Sequence, residues 1–143
     1  MPVIALDVGT KRIGVAVADP SETFALPVTV VERTNLDADL ARIAGLLHEY
    51  GASELVVGDP IRLSGERGPA AEQIDRFVEQ LRKIFDGTIH RVDERLTTAQ
   101  AQKALIAADV SRAKRKTVID KMAAALILET FLALRRRSGQ AHE

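Results

Sequence analysis

The chain has 143 residues, enough for one domain around one core. Its 20 basic and 20 acidic residues cancel, and it has no cysteine. This excludes a polycation, disulfides and cysteine-ligated zinc or iron–sulfur sites, and it suits a reducing cytoplasm. Aromatic residues make up only 3%, so the core must be built from Leu, Ile, Val and Ala. No apolar run approaches the ~20 residues of a membrane span, and the N-terminus reads as a strand rather than a secretory signal.

Two short apolar runs, Ile4-Ala5-Leu6 and Ile13 to Ala18, flank a turn holding Gly9, Lys11 and Arg12, which predicts a hairpin. Asp7 closes the first run. A carboxylate at the end of a mostly buried strand is costly unless a cation or a phosphate-binding system compensates it. A third strand is expected near 28–32. Asn35 then caps a helix with Leu36, Leu40, Ile43, Leu46 and Leu47 at helical spacing. Glu54 to Gly58 reads as a buried strand ended by Asp59-Pro60, and the segment 61–68 as a loop with Gly65 and Gly68. Pro69 suits the first turn of a second helix carrying Ile74, Phe77, Val78, Leu81 and Ile84. Thr88 to Asp93 is a fifth strand. Thr97 or Thr98 caps a helix to about 108, and Thr117 caps a last helix to about 137. The domain is expected to cover 1–138, with a disordered tail at 139–143.

Three strands followed by helix–strand alternation predict an α/β mixed sheet of five strands flanked by helices. Ligands of such sheets sit outside the carboxyl ends of the strands. Asp7, Asp59 and the pair Asp93-Glu94 all fall there. Asp120 precedes Ala123, Ala124, Ile127, Phe131 and Leu134 on one helical face, which aims it toward the sheet. Each acid has a plainer reading: Asp7 and Asp59 as turn residues, Asp93, Glu94 and Arg95 as a surface ion-pair set, Asp120 in a capping box with Thr117. Together they point to a shared site. Clustered carboxylates without cysteine suit Mg²⁺ or Mn²⁺, and two such ions could support phosphodiester hydrolysis. His48, His90 and His142 are scattered and carry no metal signal. The basic residues are uneven: Arg112, Lys114, Arg115 and Lys116 crowd one expected loop, whereas Arg135 to Arg137 suit a helix C-terminus.

Four segments resemble the YqgF/RuvX family of RNase H-like nucleases. They are Leu6-Asp7-Val8-Gly9-Thr10-Lys11-Arg12-Ile13-Gly14, Val56-Val57-Gly58-Asp59-Pro60 with Gly65, Val92-Asp93-Glu94-Arg95-Leu96-Thr97-Thr98, and Lys116 with Asp120, Ala123, Ala124, Ile127 and Leu128. The resemblance implies an RNase H-like fold and a cytoplasmic nuclease that processes the 5′ end of pre-16S rRNA or resolves Holliday junctions. It implies Asp7 and Asp120 as metal ligands. The third is the acid of the Asp-Glu-Arg motif, so Asp93 and Glu94 are both catalytic candidates, and Asp7, Glu94 and Asp120 are the expected ligand set. Lys11, Arg12, Arg95, Arg112, Lys114, Arg115 and Lys116 would contact nucleic acid. Asp59 departs from the family, which usually has an apolar residue there. The expected protein is a monomer or homodimer with no membrane partner. Two competing readings are an ATP-binding domain, because Asp-Val-Gly-Thr also resembles the phosphate loop of actin-like ATPases, and a non-catalytic RNA-binding assembly factor.

Overall fold

The computed structural model describes residues 2–61, 64–96 and 106–141, with side chains at 115–121 and 139–141 left aside. The strands β1 (Val3–Val8), β2 (Arg12–Ala18) and β3 (Ala25–Glu32) form an antiparallel meander. The helix α1 (Leu36–Glu49) leads to β4 (Glu54–Asp59), which pairs parallel with β1. The helix α2 (Pro69–Ile84) leads to β5 (Thr88–Asp93), which pairs parallel with β4. The sheet order is β3-β2-β1-β4-β5. A last helix, α3, spans Arg112–Ala141.

Alternation along β1 splits the core in two. Ile4 and Leu6 face Leu40, Ile43, Leu47, Ile74, Phe77 and Leu81 of α1 and α2. Val3 and Ala5 face Ala124, Ala125, Ile127, Leu128 and Leu132 of α3. The small alanines let α3 lie close to the sheet: a Cβ on Gly14 would stand 3.6 Å from the Ala124 Cβ and 3.7 Å from the Asp7 Cβ. The β1–β2 turn depends on Gly9, whose N–H donates to the Arg12 carbonyl at 2.8 Å. A side chain there would meet that same oxygen, so no other residue fits.

Asn35 caps α1 by accepting from the Ala38 N–H, and Pro69 opens α2, as the sequence predicts. Three expectations need correction. β3 begins at Ala25, before the expected 28, because its pairing with β2 continues across a bulge between Val15 and Ala16. α3 begins at Arg112, not at Thr117. Ser111 supplies the cap, its hydroxyl accepting from the Lys114 N–H at 3.3 Å. Arg112, Lys114, Arg115 and Lys116 are therefore the first turns of a helix and not a loop. Asp120 lies well inside α3, which removes its capping-box reading. The helix runs on to Ala141, past its expected end near 137. The expected helix from Thr97 or Thr98 falls mostly outside the described residues.

Candidate active site

The carboxyl ends of β1, β4 and β5 lie side by side, and the acids there divide between the two faces of the sheet. Asp7 shares the parity of Val3 and Ala5, toward α3. Asp59 shares the parity of Leu55 and Val57, toward α1 and α2. Parallel register sets Asp59 beside Asp93. After β5 the chain turns into a helical segment at 94–96. Asp93 caps that segment: its Oδ1 accepts from the Arg95 N–H at 2.9 Å, and its Oδ2 accepts from Arg95 Nη2 at 2.7 Å. These bonds from Arg95, opposed by some burial, hold the Asp93 carboxyl below its ordinary value. The turn carries Glu94 to the opposite side, where it shares a hydrogen bond with Asp7.

Burial pushes the Glu94 carboxyl up to about 7, helped by the charge and hydrogen bond of Asp7 and by the charges of Asp59 and Asp93. Excess negative charge on two facing carboxyl groups is what a divalent cation relieves, and oxygen-only donors suit a hard ion. Asp7 and Glu94 thus fit one edge of a metal site. Among the described residues no group of three acids or histidines gathers in metal-holding geometry. The Asp120 side chain lies outside the described ones; its backbone is one helical turn before Ala124.

Gly58 belongs to one of the motif segments, and its role is steric. A Cβ there would come 2.5 Å from Glu94 Oε1 and 2.6 Å from Ile127 Cδ1. Only glycine lets Glu94 and α3 approach β4 together. A glycine between an apolar run and Asp-Pro was the available signal.

Asp59 is buried and occupied. Arg67 donates to its Oδ2, and Arg91 Nη2 donates to its Oδ1 at 2.9 Å. Both arginines also bind Asp75 of α2, Arg91 at 3.0 Å, which closes a ring of alternating charge. Sequence reasoning missed Arg67, Asp75 and Arg91, whose partners are far apart along the chain. It also missed Arg33, which donates to the Gly9 carbonyl at 2.9 Å and to the buried Asp39 at 3.1 Å.

Of the basic candidates, Lys11 is exposed, and Arg12 pairs with Glu32 at 2.9 Å on the surface while lining a hollow with Asp7 and Ala124. Arg95 is engaged with Asp93. Arg112 and Lys114 are exposed at the start of α3, and the side chains of Arg115 and Lys116 lie outside the described ones. No helix among the described residues is long and apolar enough to cross a membrane. His90 bonds Glu54 at 3.0 Å, far from the acid pair at the other end of β4.

A model of the RuvX family, described as Holliday junction resolvase, matches residues 1–134. A protein of Thermoanaerobacter pseudethanolicus named "Putative pre-16S rRNA nuclease" is 47% identical over 133 residues, covering 92% of this chain and 96% of the relative. One of the same name from Desulforudis audaxviator is 41% identical over 98% of this chain and 99% of the relative. Among solved structures, RuvC of Thermus thermophilus in complex with a Holliday junction substrate superposes with a TM-score of 0.59 at 16% identity, over 94% of this chain and 96% of that one. The fowlpox virus Holliday junction resolvase gives 0.54 at 14% identity, over 93% and 99%. These two likenesses establish an RNase H-like fold.

Proposed function

The chain belongs to the RuvX family, and from that premise we propose that it is a divalent-metal-dependent nuclease of structured nucleic acid, acting at the 5′ end of pre-16S rRNA in the cytoplasm. The observation that carries the reading is the Asp7–Glu94 pair, two carboxyl groups brought to a shared hydrogen bond at the carboxyl edge of the sheet. The names of the relatives supply the substrate.

Asp7, Glu94 and Asp120 would hold Mg²⁺ or Mn²⁺. Bound there, the ion supplies an activated water and charge stabilisation for the leaving oxygen. The chain's own residues do the rest. Gly58 leaves the space in which Glu94 meets Asp7. Asp93, as cap, fixes the turn that aims Glu94 across the sheet. Arg67 and Arg91 neutralise Asp59, so that one acid of this edge does not add fully to the repulsion. Lys11 and Arg12 at the β1–β2 turn, and Arg112 and Lys114 at the exposed start of α3, would offer cations to the phosphates of the substrate.

The description of the family model favours a second reading, resolution of branched DNA. One experiment separates them. The purified protein is incubated with Mn²⁺ or Mg²⁺ and either an rRNA precursor or a four-way DNA junction, beside Asp7→Asn, Glu94→Gln and Asp120→Asn. Cleavage of the precursor by the wild type alone is the expected result. Equal cleavage by all four proteins, or cleavage of the junction only, would overturn the proposal.

A further inference from the structure

A groove of about 680 Å³ opens on the α1/α2 side of the sheet at its carboxyl edge, where its lining reaches Asp7 and Glu94. Its size lies within the range of small-ligand pockets. The opposite wall is one face of α2. Ile74 and Phe77 form an apolar floor, and Gln73 and Gln80, two turns apart, stand above it.

Arg33 forms part of the lining and is held rigidly. Its Nε donates to Asp39, its Nη1 donates to Gly9, and its guanidinium lies 5.4 Å over the Phe77 ring. Among the described residues, no acceptor meets its Nη2. A planar cation fixed in place, with donors to spare, offers a flat surface for stacking and N–H groups for a phosphate or base edge. The two glutamine amides each offer both a donor and an acceptor, which is the chemistry that pairs with a nucleobase edge. Asp39 balances Arg33, so the groove is not a general anion trap.

We infer that this groove receives a single unstacked nucleobase, that of a nucleotide next to the phosphodiester at Asp7 and Glu94. The inference rests on the nuclease reading for the position of the phosphodiester. It accounts for how a chain with so few aromatic residues can hold an unpaired strand: an apolar floor, a fixed guanidinium and two amides replace a stacking ring. The adjoining base is thereby anchored within reach of the acids.

The test uses a synthetic RNA duplex with a single-stranded 5′ extension, and copies carrying one abasic nucleotide at each successive position of that extension. Binding is read by fluorescence anisotropy in Ca²⁺, so it does not depend on cleavage. Two variants are compared with the wild type: Gln73→Ala with Gln80→Ala, which removes the amides, and Ala70→Phe, which fills the mouth of the groove from an exposed position. Circular dichroism melts verify that both fold. One abasic position should weaken wild-type binding about tenfold, within what one base contact contributes. Both variants should weaken the intact RNA by a similar factor and add nothing to the loss at that position. Variants that weaken every RNA alike, or none, would overturn the inference, as would a wild type indifferent to every abasic position. A change of solution mass in Ala70→Phe with unaltered RNA binding would make the groove a protein contact and also overturn it. The expected binding pattern without cleavage in Mn²⁺ would leave the groove standing and fail the nuclease reading instead.

Discussion

On the α1/α2 side of the sheet, Asp59 meets Arg67 and Arg91; on the α3 side, a few ångströms of backbone away, Asp7 meets Glu94. The residue type and the sheet edge are the same, but the electrostatics are opposite. The first acid is enclosed by cations that also bind Asp75, so its charge is structural. The second pair concentrates negative charge and leaves Glu94 with a carboxyl raised to about 7. Carboxylates at the same edge are thus distinguished by their neighbours, not by their strand position.

The comparison breaks most sharply by neutralising each side in turn. Asp7→Asn or Glu94→Gln should cut cleavage by more than ~100-fold, since even partners one step removed from a metal cost ~10–100-fold. The same Glu94→Gln change should raise the melting temperature of the metal-free protein at pH 8. Asp59→Ala should do the reverse. Leaving Arg67 and Arg91 with Asp75 but without Asp59 should cost about 1–3 kcal/mol, read from the urea midpoint, with a smaller loss of activity. Comparable activity losses on the two sides would show that Asp59 belongs to the site.

Gly58→Ala sits between these effects. The added methyl meets Glu94 Oε1 and Ile127 Cδ1, so about 1–3 kcal/mol of stability should be lost. Activity should fall further than stability explains, because Glu94 must move.

A pH titration sharpens the contrast. In chelator, Glu94 binds its proton more tightly folded than unfolded. Its contribution is therefore fully present below about 4.5 and is lost as pH rises through about 7. Urea midpoints should fall over that interval in the wild type. The fall should be smaller in Glu94→Gln and should be opposed by Mn²⁺. At the far end of β4 the sign reverses. Burial pushes Glu54 up, but the hydrogen bonds from Arg135 and His90 outweigh it and hold it below its ordinary value. That contribution is present above the unfolded value and is lost as pH falls through the folded one. Arg135→Ala should remove part of it, at a cost below ~1 kcal/mol and with cleavage unchanged.

The elements were legible wherever local pattern governs. Short apolar runs around a tight turn marked β1 and β2, the 3.6-residue stripe marked α1 and α2, and Asn35 and Pro69 marked helix starts. The start of α3 was misread because Thr117 has the chemistry of a cap, while Ser111 has the same chemistry and the geometry as well. Basic residues in the first turn oppose the helix dipole, so composition argued for the wrong boundary.

By itself, the sequence determined the mixed five-stranded sheet and the acids at the ends of β1, β4 and β5, because periodicity and strand ends are local properties of the chain; the family was legible in four motif segments that resemble it. It could not divide those acids. Asp93 and Glu94 are neighbours in sequence, and only the cap made by Asp93 turns Glu94 to the α3 side. Asp59 ends a buried strand, and only Arg67 and Arg91, eight and thirty-two residues away, show what compensates it. Charge is fixed by residue type, but its energy depends on what lies within a few ångströms, and that is decided by packing.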